Sequence, residues 1–112
     1  MNLNSVWTPV GSASLSESFV AGSDTSQVLV RASDHRRGIY FFNHSGASLF
    51  LRFGATLAHS ASETQFTVKL SSGSYYEMPI PVYTGMIHGV WDVNGDGIVV
   101  ITSLEAADDS GY

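Results

Sequence analysis

The chain has 112 residues, no cysteine, and a formal net charge of −5 with an isoelectric point near 5.0. That length makes a single domain the default and is enough to bury a core unaided. The missing thiols exclude disulfides and thiolate metal sites and fit folding in the cytosol. Only five Lys and Arg are present, so no basic stripe could release counterions from nucleic acid. Charged residues make up 13% of the chain, against about 25% in an average soluble domain, while aromatics reach 12%. Ser, Thr, Asn and Gly must cover what charge does not, which points to a protein partly buried against copies of itself or a partner. No apolar run approaches the ~20 residues that span a bilayer. The first residues lack the basic and apolar regions of a signal peptide, and none is expected.

Residues 1–25 are rich in Ser, Gly and Thr, with apolar anchors at Val6, Trp7, Val10, Leu15, Phe19 and Val20. Pro9 disfavours helix at Thr8 and starts the chain extended. Residues 14–20 alternate weakly, so the segment reads either as an arm that docks on a neighbour or as an edge strand of its own fold.

Residues 27–33 predict a strand with Val28 and Val30 on one face. After a loop holding His35 and the isolated pair Arg36 and Arg37, which reads as loop solvation, Ile39, Tyr40, Phe41 and Phe42 form a run apolar on both faces. Such a strand belongs in the middle of a sheet or under another chain. Residues 44–47 turn, and Leu49, Leu51 and Phe53 return on one face, a pattern that predicts a β-hairpin. Residues 54–63 are a small-residue loop. Residues 64–70 predict a strand with Phe66, Val68 and Leu70 inward, and residues 75–78 a short one closed by Pro79 and Pro81, which bar a central position. Residues 85–92 and 98–104 flank Asn94, Gly95, Asp96 and Gly97, whose Asn-Gly and Asp-Gly pairs supply the positive φ of a tight hairpin. Residues 105–112 form an acidic tail.

Seven or eight short strands at regular spacing, with no helix and no internal repeat, predict an all-β, single-domain antiparallel β-sandwich or jelly-roll-like barrel over residues 26–104.

Asp92, Asn94 and Asp96, with Gly97 in sixth place, match the first half of a calcium loop. The second half fails: the twelfth position is Ser103, and strand follows instead of helix. A turn explains these residues without metal, and no cofactor is expected. His35, His44, His59 and His88 lie in four separate segments without metal-ligand spacing. No Ser sits in a nucleophile elbow. Glu77 lacks a second carboxylate placed across a cleft, Asp92 being the one that could be named. An enzyme is therefore not expected. Tyr75, Tyr76, Tyr83 and Trp91 could stack on a sugar, or fill the core and its rim.

Ordered pieces of the chain carry a further signal. They are RGIYFFN at 37–43, LFLRFG at 49–54, FTVKLSSGSYYE at 66–77, PIPVYTG at 79–85 and GVWD at 89–92. This cadence, spanning residues 37–104, resembles a group of small tailed-bacteriophage virion structural proteins; the first 30 residues fall outside it. The resemblance implies a non-enzymatic part of the virion, made in the host cytoplasm. The expectation is a capsid decoration (cement) protein that binds the major capsid protein or another virion protein and stabilises the assembled capsid. A fibre, tail or neck component is the alternative, and a carbohydrate-binding module the second. A homo-oligomer is expected, a trimer first, with Trp7, Phe19, Ile39, Tyr40, Phe41 and Phe42 as interface candidates and neither nucleic acid nor membrane as partner.

Overall fold

The computed structural model describes residues 13–54 and 60–106. Eight strands occur in chain order: β1 Ala13–Ala21, β2 Gln27–Val30, β3 Arg36–His44, β4 Leu49–Phe53, β5 Val68–Leu70, β6 Tyr75–Glu77, β7 Ile87–Trp91 and β8 Ile98–Ala106. They build two four-stranded sheets: sheet 1 in the order β1-β8-β3-β6 and sheet 2 in the order β2-β7-β4-β5. Every strand pair is antiparallel. The expected all-β sandwich is therefore the fold, with the interleaved strand order of a jelly roll.

Alternation within the long strands explains the core. In β3, Ile39, Phe41 and Asn43 point inward, opposite Ser103, Ile101 and Val99 of β8. In β4, Leu49 and Leu51 point inward beside Trp91 and Gly89 of β7. Ile39, Phe41, Leu49, Leu51, Ile87, Trp91, Val99 and Ile101 form one cluster between the sheets. Each large side chain so buried contributes about 1.5–3 kcal/mol. Asn43 fastens this core. Its Nδ2 donates to Ala47 O at 2.7 Å and Leu70 O at 3.0 Å, while its Oδ1 accepts from Ser45 Oγ at 2.7 Å and Trp91 Nε1 at 3.3 Å. One buried amide thus ties a strand of sheet 1 to the loop and the Trp of sheet 2.

Four sequence expectations need correction. The two predicted hairpins are not hairpins, because β3 and β8 lie in sheet 1 while β4 and β7 lie in sheet 2. The turns are tight, but each carries the chain across the sandwich. At the second, Gly95 and Gly97 have φ of 76° and 72°, and a side chain at Gly97 would run into His44 O and Ser45. Val28 and Val30 do not simply share a face. A register shift separates them, Val28 sits opposite His88 on the outside, and Leu29 turns inward over Gly89, where any Cβ would meet it.

The strand predicted over 64–70 begins only at Val68. Ser62 N donates to Gln65 O at 2.9 Å, and Ser62 Oγ accepts from Thr64 N and Gln65 N, so 62–65 closes into a turn. Phe66 consequently lands on the outer face, edge-on against Phe50 at 5.1 Å, instead of in the core. Finally, Arg36 is buried, not loop solvation. Its Nη1 donates to Tyr83 O at 2.7 Å and Gly85 O at 3.1 Å, and its Nη2 to Arg31 O at 2.6 Å. Burial pulls this guanidinium below its ordinary pKa, partly opposed by the attraction of Glu105 and Tyr83.

Of the two readings of residues 1–25, the edge strand holds for Ala13–Ala21, which pairs along its whole length with β8. Residues 1–12 and 107–112 lie outside the described residues.

Candidate functional site: an open apolar face

The strand alternation that fills the core also decides what lies outside it. On sheet 1 the outward residues are Leu15, Glu17 and Phe19 of β1, Val100, Thr102 and Leu104 of β8, Tyr40 and Phe42 of β3, and Tyr75 and Glu77 of β6. Leu15 and Phe19 are each 63% exposed and Tyr75 67%. Ile80, on the loop after β6, is 89% exposed. Two grooves of about 400 Å³ run across this face. One is lined by Leu15, Tyr40, Tyr75, Ile80, Val82 and Leu104, with Arg37 and Glu77 on it; the other by Glu17, Tyr40, Phe42, Tyr75, Val100 and Thr102. The loop that carries Ile80 and Val82 is held by Arg36, whose guanidinium grips the carbonyls of Tyr83 and Gly85 just beyond.

The six interface candidates divide. Phe19, Tyr40 and Phe42 lie on this outer face. Ile39 and Phe41 are core residues and are closed to a partner, because a two-sided apolar strand in the interior of a sheet turns alternate residues inward. Trp7 lies outside the described residues. Leu15, Leu104 and Ile80 complete the face and were missed as interface residues. Of these three, only Leu15 carries a legible signal, the weak alternation of 14–20.

The other candidates do not come together. Asp92 Oδ1 accepts from Ser48 N at 3.0 Å, Asn94 Oδ1 accepts from Asp24 N at 3.3 Å, and Asp96 lies against Gly46. Three side chains turned to three different backbone segments share no ion-sized centre, and no group of three metal-binding side chains occurs among the described residues. Of the histidines, His35 lies in the loop before β3 and His44 at the end of β3, stacked on Phe42 at 5.7 Å. His88 is buried on the outer side of sheet 2, and His59 lies outside the described residues. The aromatic set proposed for sugar stacking is split. Trp91 is in the core, Tyr83 stacks on Phe53 at 5.2 Å, and Tyr76 packs on the same ring at 6.3 Å. Only Tyr75 of the four is exposed. Glu77 lies in the first groove, while Asp92 is bonded to Ser48. What the arrangement offers chemically is contact area: aromatic and aliphatic surface with a thin scatter of charge.

No family model matches the chain, and no curated protein matches it. Among solved structures it is similar to a chain from the Bacillus endospore appendages, described as a novel family of disulfide-linked pili. The TM-score is 0.50 at 12% identity, and the match covers 86% of this chain and 89% of the other. At that identity the likeness is one of fold, over most of both chains.

Proposed function

We propose that this chain is a non-enzymatic structural subunit of a larger particle, and that the particle is a phage virion on which it acts as a capsid decoration protein. The observation that carries the structural reading is the open face of sheet 1. Leu15, Phe19, Tyr40, Tyr75, Ile80 and Leu104 stand exposed together on a chain with few charges. Contiguous apolar surface of this kind is covered in the working state of a protein. The ordered pieces between residues 37 and 104 supply the virion reading through their resemblance to small tailed-phage proteins. Many copies bound to assembled capsid subunits would stabilise the shell by mass action, since they bind the assembled state and not the free subunits.

A second reading is a fibre, tail or neck component that polymerises. It is favoured by the shared fold with a chain from pili. Any polymer of this chain would differ from a disulfide-linked one, because the sequence has no cysteine.

The test is copy number. Source particles stripped of the chain are incubated with purified protein, then imaged by cryo-electron microscopy and melted. Hundreds of copies on the shell and a higher melting temperature of the capsid are expected of a decoration protein. Tens of copies or fewer at one vertex or along a tail identify the second reading. Absence from every particle, with retention on a glycan array, would return the chain to the carbohydrate-binding class.

A further inference from the structure

The four sheet edges are not alike. β2 has four residues and a register shift, β5 has three residues and carries Lys69, and β6 has three residues and runs into Pro79 and Pro81. Short length, bulges, lysine and proline are the devices that keep an edge from pairing. β1 has none of them. It is nine residues long, regular throughout its pairing with β8, and bears one charge, Glu17. Ser14, Ser16 and Ser18 on its inner side are exposed as well, so sheet 2 does not cover the strand and both its faces are open.

The ladder fixes which peptide groups of β1 face away from β8 and have no partner among the described residues. Gly22, opposite Gly97 where the β1–β8 ladder continues, donates its N–H to Gly97 O at 2.9 Å. Alternate residues of an antiparallel strand bond to opposite sides. The even-numbered residues therefore face β8. Ala13, Leu15, Glu17, Phe19 and Ala21 hold their N–H and C=O toward the open edge.

Those five residues read nearly the same in both directions: small, large apolar, acidic, large apolar, small. An interface related by a two-fold axis needs a surface complementary to itself. We infer that β1 pairs antiparallel with β1 of a second copy about a two-fold axis at Glu17, joining two copies of sheet 1 into one eight-stranded sheet. This rests on the structural-subunit reading and names its partner. In this register Leu15 meets Phe19 of the second copy twice, Ala13 meets Ala21 twice, and about ten ladder hydrogen bonds form. The outer faces of the two copies then run on without a break. The one opposed pair is Glu17 with Glu17. Thr102 of β8 lies directly across from it, Tyr40 and Tyr75 lie farther along the same groove, and that groove brings no basic group to it. Glu17 thus weakens a pairing that the rest of the strand favours, which limits uncontrolled edge association.

Because the chain lacks cysteine, the register can be read by crosslinking. Residues paired in the ladder sit about 5.5 Å apart at Cα, within disulfide range. Mild oxidation of full-length Glu17→Cys should give a covalent dimer. Leu15→Cys and Phe19→Cys should each remain largely monomeric alone and crosslink when mixed. Glu17→Gln should tighten the dimer roughly fivefold in sedimentation equilibrium, the size of relieving one like-charge cross-strand pair, with an unchanged circular dichroism melt showing that the fold is intact. A protein that self-associates yet gives no Glu17→Cys crosslink overturns the pairing. So does a trimer, which leaves no place for a two-fold edge, or a crosslink that forms only after residues 1–10 are deleted, which would show the edge filled within one copy. Decoration of particles by a chain that shows none of these crosslinks would overturn this inference and leave the structural-subunit reading standing.

Discussion

The two sheets treat their outer faces differently. Outside sheet 2, Phe50 and Val90 sit opposite each other and are buried with Ala61. Phe66 closes over Phe50 from the loop, and Lys69 stands over the same ring at 5.7 Å. Ala61 is pinned there by its N–H, which donates to Ser26 Oγ at 2.9 Å. Outside sheet 1, no described residue covers the equivalent apolar residues in this way. Ala61 and Phe66, from the connection between β4 and β5, lie over sheet 2, and among the described residues no connection lies over β1, β8 and β3. The comparison sets an open face on sheet 1 against a covered face on sheet 2, and it can be broken or sharpened residue by residue.

The largest effect is expected at Arg36. Its guanidinium satisfies the carbonyls of Arg31, Tyr83 and Gly85 in a buried setting. Arg36→Ala leaves three acceptors without it and should cost about 3–5 kcal/mol, the range for removing one partner of a buried charged network. Chemical denaturation measures this. Because Tyr83 and Gly85 follow Ile80 and Val82, hydrogen exchange should rise in the loop over residues 78–86, on the rim of the open face, before it rises around Phe50. Uniform loss of protection would mean that the two faces are not separable units.

Next comes Phe50→Ala on the covered face, expected to cost about 3 kcal/mol through loss of the ring and the space left under Phe66. It should leave self-association unchanged at temperatures where the protein is folded. Equilibrium unfolding and sedimentation on the same sample check both halves.

Gly97→Ala follows, at about 2 kcal/mol, because positive φ and a collision with His44 O and Ser45 act together. Gly95→Ala, with the same φ sign but open space around it, should cost only about 1 kcal/mol. A pair of thermal melts separates them. This turn crosses between the sheets, so the contrast tests whether the crossover is held by close packing or by conformation alone.

What the sequence disclosed follows from what strand patterns encode. Alternation in β3 and β4 showed which residues are strand, and the two-sided run at 39–42 marked an interior strand, as found. Alternation does not say which sheet a strand joins, so the turns at 44–47 and 94–97 read as hairpins although they cross the sandwich. Phe66 was placed in the core because the Ser62 turn that breaks its strand depends on hydrogen bonds among Ser62, Thr64 and Gln65, not on hydrophobic period. Arg36 was unreadable for a related reason: its acceptors are backbone carbonyls five and nearly fifty residues away. The open face was half legible. Phe19, Tyr40 and Phe42 are legible as contact residues, but Leu104 joins them only once β8 lies between β1 and β3, and Ile80 only once β6 pairs with β3.

The smallest effect on stability, and the sharpest on assembly, belongs to Phe19. Its side chain is largely exposed on an edge strand, so Phe19→Ser removes little buried area and should change unfolding free energy by no more than about 0.5 kcal/mol, as for surface positions generally. The same substitution deletes a large apolar side chain from the open face and, in the two-fold register, removes both Leu15–Phe19 contacts, each worth about 0.2–1 kcal/mol. Self-association should therefore weaken by roughly two- to thirtyfold while the melting temperature of dilute protein stays put. Phe50→Ala is the mirror case: stability falls and association holds. If Phe19→Ser lowers stability as much as Phe50→Ala does, the Phe19 ring is covered within its own copy, and the difference between the two faces disappears.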